Sequence, residues 1–260
     1  MLKRLRVAFL LYVLLFVAAG EYLTSARSKD WDNTLWVAVY PVNGDGKPAT
    51  QTYLDNIAAS EFTELDGFFA REARRYHVQL ERPFRFDLRP QYRHDLPELD
   101  AGASMLSVVV WSLRMRWQSF VAEWTSDGPS ADIVLYAVYF DGSDGPALDR
   151  STALRKGMIA IANVFASSSA RGSNVVVMAH ELLHTLGATD KYDLATTLPR
   201  FPDGYAAPDA RPLFPQRQAE LMGGRVPISK SRAEIPESLN DVAIGPATAR
   251  EIGWPVASSP

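Results

Sequence analysis

Two of the chain's four histidines, His180 and His184, stand four residues apart, and Glu181 directly follows the first. Residues four apart on an α-helix lie one above the other on the same face. Two imidazoles so placed can grip one metal ion. The carboxylate one step round the helix reaches a water on that ion rather than the ion itself. A divalent cation with a base beside its water is equipment for hydrolysis. Composition alone gives about 0.003 accidental copies of His-Glu-x-x-His in such a chain, so the pattern carries information.

The surrounding residues must supply a helix. Val175, Met178, Leu182 and Leu186 recur at helical spacing and form a core-facing stripe, which leaves both histidines on the other side. Ser173 or Asn174 is placed to cap the N-terminus, and Gly187 to stop the helix in the left-handed conformation.

The longer pattern His180-Glu181-x-x-His184-x-x-Gly187-x-x-Asp190 resembles the metzincin clan of zinc metallopeptidases, in the snapalysin form where Asp replaces the third His. The resemblance implies Zn²⁺ held by His180, His184 and Asp190, with Glu181 as general base and Gly187 making the turn that returns Asp190 to the metal. It also implies a methionine turn below the zinc, for which Met222, followed by Gly223 and Gly224, is the candidate. Asp193 is the nearest rival to Asp190, and Glu220, Glu234 or Glu237 would serve a peptidase with a glutamate third ligand. A third possibility is an inactive fold of this kind that grips peptides or zinc at the cell envelope; the intact Glu181 argues against it. With Asp in place of a neutral His, the formal charge of a zinc site falls from +2 to +1. The site is then a weaker Lewis acid with a raised water pKa. Tyr192 and Tyr205 are both candidates to stabilise an oxyanion.

With 260 residues and a net charge of −3, the composition is that of a globular chain with one sizeable core. No basic stripe suggests nucleic acid. The absence of cysteine excludes disulfides, thiolate ligands and a cysteine nucleophile. Lys3, Arg4 and Arg6 precede an apolar run over 7–20, which reads as a signal peptide or an uncut signal anchor within 1–23. Residues 24–32 read as a linker. The rest would be exported, periplasmic at the membrane or secreted, and monomeric, with a peptide or protein as substrate.

Along 33–260 the expected fold is α+β: a mixed twisted sheet with packed helices, zincin-like by the resemblance. It divides into a sheet-and-helix part over 33–187 and an irregular C-terminal part over 188–260. Strands are expected at 34–42, 84–88, 133–140 and 156–165, and Asn43 to Gly46 as a turn, with calcium a remother use of that loop. Helical patterning runs to His77, with Leu65, Phe68, Phe69, Ala73 and Tyr76 inward and Arg71, Arg74 and Arg75 in solvent. Residues 104–124 read as a core helix whose inward stripe is Leu106, Val110, Leu113, Trp117, Phe120 and Trp124. By resemblance, the strand at 156–165 is the sheet edge that pairs with an extended substrate. Residues 192–218, punctuated by proline, are expected as a loop that walls the site, and 245–254 as a terminal helix.

Overall fold

The computed structural model describes residues 29–99, 102–142, 152–154 and 158–256. The proposed signal segment, the first part of the linker and most of the loop after Asp141 lie outside the described residues. Among the described residues, no helix is long and apolar enough to cross a membrane.

The architecture is mixed α/β. Strands β1 (Leu35–Asn43), β2 (Phe84–Leu88), β3 (Ile133–Phe140), β4 (Thr152–Leu154) and β5 (Ile159–Phe165) form one sheet in the order β2-β1-β3-β5-β4. The first three and β5 run parallel, and β4 is antiparallel to β5. Four helices belong to the same body: α1 (Pro48–Leu54), α2 (Thr63–Arg75), α3 (Met105–Trp124) and α4 (Arg171–Thr185). A C-terminal part follows, with short ladders β6 (Ala219–Glu220) with β9 (Val242–Ala243) and β7 (Val226–Pro227) with β8 (Ala233–Glu234). It ends in α5 (Pro246–Glu251).

Strand residues alternate between two apolar layers, as pleating requires. Val37, Val39, Leu135, Ala160 and Val164 face a core shared with α2, α4 and the C-terminal part. Ala38, Tyr40, Val134, Tyr136 and Val138 face a second core with Trp111 and Met115 of α3. The topology accounts for this division. The chain steps from β1 out to β2 and then back past β1 to β3, and right-handed crossovers put the two connecting helices on opposite faces. Hence α2 and α3 lie on different sides.

Several expectations need correction. Over its first residues the strand before α4 is not an edge: Ile159–Ile161 of β5 lie between β3 and β4, a short strand the sequence reading missed. Among the described residues the outer edge there belongs to β4. The helix α3 is where expected, but the stripe is the wrong one. Its buried residues are Trp111, Met115 and Ser119, four apart, while Leu113 is 57%, Trp117 67% and Trp124 79% exposed. The inner stripe carries polar groups that find partners on the sheet. Ser119 Oγ lies 3.1 Å from the Tyr136 hydroxyl, and the Tyr40 hydroxyl donates to Glu123 at 2.7 Å. The α2 stripe is buried as expected, yet Arg71 and Arg75 are not simply solvated: they donate to the Leu239 and Ile244 carbonyls and join α2 to the C-terminal part. Asn43 to Gly46 is a turn closed by Gly46 N donating to Asn43 Oδ1 at 2.8 Å.

Candidate metal centre

Helix α4 buries Val175, Met178, Leu182 and Leu186, each at most 2% exposed. It begins at Arg171, earlier than expected, because Asn174 is not a cap. Its side-chain amide instead brackets Phe165, accepting from the backbone N–H at 3.0 Å and donating to the carbonyl at 2.8 Å. This fixes α4 to the end of β5. Gly172 allows the helix start to touch the Glu237 backbone, since a Cβ there would lie 2.1 Å from its carbonyl oxygen. At the other end Gly187 has φ 97°. Gly187 N donates to His184 O and Ala188 N to Leu183 O, both at 3.0 Å, which is the Schellman pair of bonds. The chain therefore turns back under α4 immediately after the second histidine.

That turn brings three donor atoms together. Asp190 Oδ1 lies 3.1 Å from His180 Nε2 and 3.2 Å from His184 Nε2, and the two Nε2 atoms are 3.1 Å apart. A tetrahedral ion with bonds of about 2.0–2.1 Å holds its donors roughly 3.3 Å apart, so the triangle is the right size. The other ring nitrogens fix the tautomers. His180 Nδ1 is 2.9 Å from the Leu221 carbonyl oxygen, and His184 Nδ1 is 2.9 Å from that of Ala188. A carbonyl only accepts, so each Nδ1 carries the hydrogen and each neutral ring turns a bare lone pair inward. Two lone pairs and a carboxylate then face one another. A single proton serves one edge of such a triangle, whereas a divalent cation serves all three corners.

Burial pulls the His180 imidazole down, but the Asp190 carboxylate, Glu181 and the Leu221 carbonyl outweigh it, and the ring is raised above its ordinary value. Burial pushes Asp190 up, yet hydrogen bonds and charge from the two imidazoles hold it well below the usual carboxylate range. Glu181 is buried beside them, its carboxylate and the two ring nitrogens within 4.8 Å of one another. Burial raises its carboxyl against the opposing pull of both histidines. A raised carboxyl next to an anionic one is the division of labour that separates a proton carrier from a ligand.

The segment carrying Asp190 is held on both sides. Glu251, at the end of α5, accepts from Thr189 N at 2.9 Å, Thr189 Oγ1 at 2.8 Å and Lys191 Nζ at 2.7 Å. Lys191 N donates to the Met222 carbonyl at 2.8 Å, and Arg200 donates to the Asp190 carbonyl at 2.9 Å. Met222 is fully buried in a tight turn, Leu221–Gly223, whose backbone thus touches both a ligand histidine and the ligand loop. Sequence reading missed Glu251, Lys191 and the Leu221 and Ala188 carbonyls. Backbone carbonyls leave no mark in residue identity, and Glu251 lies 62 residues from Thr189.

The rival ligands are engaged elsewhere. Glu220 is fully buried and accepts from Gly223 N, Gly245 N and Thr248 Oγ1. Asp193 folds into its own turn, accepting from Ala195 N and Thr196 N. Glu234 pairs with Arg232, and Glu237 is exposed. Of the two tyrosines, Tyr192 has its ring 6.3 Å from that of His180, while Tyr205 packs against Phe201 and Phe214.

No family model matches the chain, and no curated protein matches it. Among solved structures, one described as a chaperone-substrate complex is similar at 13% identity and a TM-score of 0.37. The alignment covers 84% of this chain and 34% of that one, so the chain spans about a third of its length. A likeness at that level carries no argument about function.

Proposed function

We propose that the chain is a zinc-dependent endopeptidase, exported and held at or released from the membrane, with a zincin-like fold and a metzincin-type ligand set. One observation carries this reading: His180, His184 and Asp190 converge in a triangle of 3.1–3.2 Å edges with both imidazole tautomers fixed by backbone carbonyls. When bound, zinc supplies Lewis acidity toward a carbonyl and toward water. His180 and His184 bind as neutral rings, Asp190 as an anion, so occupancy falls in acid. Glu181, whose burial raises its proton affinity, takes a proton from the attacking water and returns it to the departing amine. The outer edge of β4 offers its backbone to an extended peptide, the role the sequence reading gave to the next strand. Tyr192 is the better-placed of the two tyrosines to support an oxyanion.

The test uses the purified full chain. Metal analysis should return one zinc per chain, and a fluorogenic peptide library should be cleaved, with cleavage lost to a chelator and restored by zinc. Zinc bound at one equivalent with no cleavage of any peptide would leave a binding protein instead. Absence of stoichiometric metal would end the proposal.

A further inference from the structure

The most conspicuous feature outside the metal centre is the outer face of α3. Leu106, Val110, Leu113, Trp117, Phe120 and Trp124 recur at helical spacing and are all exposed, Leu106 at 73% and Phe120 at 56%. The rings of Trp117, Phe120 and Trp124 run in a file, with centroids 6.0 and 5.8 Å apart. Those three side chains alone expose on the order of 400 Å² of aromatic surface, at the limit of what a monomer leaves in water. The more apolar stripe of the helix thus faces out, the reverse of the arrangement by which an amphipathic helix usually packs on a core. It is the one helix that packs on its face of the sheet among the described residues, and loops rather than helices border its flanks there. Grooves run along both sides. One, of about 610 Å³, lies between Trp117, Val121, Tyr92 and His94; another, of about 510 Å³, lies between Phe120, Trp124, Met158 and Ile159.

We propose that α3 is a membrane-docking helix that lies in the interface of a phospholipid bilayer. Three observations select this occupant. The first is charge. The single acid of α3, Glu123, is turned inward, where it accepts from Tyr40 and Ala131 and pairs with Arg89. The outer face therefore carries no carboxylate, and exposed Arg114 lies within it, with exposed Arg93 across the neighbouring groove. The acids stand at the rims and not on the face itself: Asp95 and Glu98 border grooves that Arg114 also lines, and Asp132 borders the groove beside Phe120 and Trp124, so acids and bases balance there. The second is the form of the helix. Arg114, Arg116 and Glu123 interrupt it too often for a span, while its indole rings suit the headgroup level and its aliphatic residues the acyl boundary. The third is the chain preceding Lys29, where Lys3, Arg4 and Arg6 lead into an apolar run over 7–20. A chain delivered to a bilayer by that run presents α3 to the same surface at high effective concentration.

Docking through α3 leaves the metal centre free, because α4 packs on the opposite face of the sheet. The inference stands apart from the peptidase reading and survives its failure.

The absence of native cysteine permits a clean test. Single substitutions Leu113→Cys, Phe120→Cys and Lys230→Cys are made in the full chain, each labelled with an environment-sensitive fluorophore. The labelled chain is reconstituted in vesicles of phosphatidylglycerol and phosphatidylcholine carrying spin-labelled lipid. Quenching should be several-fold stronger at 113 and 120 than at 230. Adding Leu113→Asp and Trp117→Asp to the Phe120→Cys chain should cut quenching at 120 at least fivefold, with circular dichroism unchanged. Equal quenching at all three positions overturns the proposal. So does shielding of 113 and 120 from aqueous iodide without lipid quenching. Shielding that grows with protein concentration would mean a second copy, and concentration-independent shielding would mean the chain's own segment 7–20.

Discussion

Helices α3 and α4 pack on opposite faces of one sheet, and they use their surfaces in opposite ways. Helix α4 places its apolar stripe in the larger core and turns its two histidines to a half-buried cleft. Helix α3 places a mixed stripe inward, with Ser119 and Glu123 answered by the sheet tyrosines, and leaves its most apolar stripe outside. The difference teaches that apolar periodicity says a helix has a face, while its neighbours decide what that face meets. On the α4 side, α2 and the C-terminal part close around the helix. On the α3 side, the described residues that touch it belong to the sheet and to loops.

The comparison can be broken most decisively at α4's polar side. Glu181→Gln should lower peptide turnover by about 10²–10⁴-fold while bound zinc, measured by mass spectrometry of metals, stays near one per chain. Unchanged turnover would remove Glu181 from the chemistry. On the inner and outer faces, Leu182→Ala, at a fully buried site, should cost about 2–5 kcal/mol in urea unfolding. Leu113→Ala on α3 should stay within about 0.5 kcal/mol in lipid-free conditions. Equal costs at the two positions would mean that α3 is covered after all.

A smaller effect should come from the clamp on the ligand loop. Glu251→Gln removes the charge that holds Thr189 and Lys191, and should cost about 1 kcal/mol once solvent screening of this partly exposed group is allowed for. It should also weaken zinc affinity, as outer partners of a ligand segment do. Burial pushes the Glu251 carboxyl up, but Lys191 and Thr189 more than offset this and hold it below its ordinary 4.5. A depressed carboxyl stabilises the fold above that ordinary value and loses its contribution as pH falls through the lower folded-state value. The stability gap between wild type and Glu251→Gln should therefore be full at neutral pH and close in acid below 4.5. A gap that widens in acid would contradict the assignment. Least of all, Gly187→Ala should cost about 1 kcal/mol, because φ 97° is unfavourable for a residue with a Cβ. An Ala that costs nothing there would mean that the turn bringing Asp190 back has room to relax.

Much of this was legible in the chain itself. The histidine-bearing helix, its buried stripe, its glycine stop and four of the five strands of the main sheet all follow from period and turn chemistry, because each rests on residues a few positions apart. The two histidines were named from their type and spacing and Asp190 from the family resemblance, and the structure brings those three side chains together. The short strand β4 was not legible: three residues carry too little pattern to register, and its pairing with β5 is what makes it a strand. The α3 stripe was misread because the helix offers two periodic stripes, and the inward one is the more polar.

By itself, then, the sequence determined what could bind a metal and the rough position of most regular elements, since local spacing sets both. Only the tertiary structure decided which carboxylate closes the triangle, which tautomers the histidines hold, and which face of α3 meets the sheet. Those outcomes depend on the Leu221 carbonyl, on Glu251 and on Tyr40 and Tyr136, which reach their partners across the fold. Contacts between residues so far apart in the chain are set by how the elements pack, which no local pattern encodes.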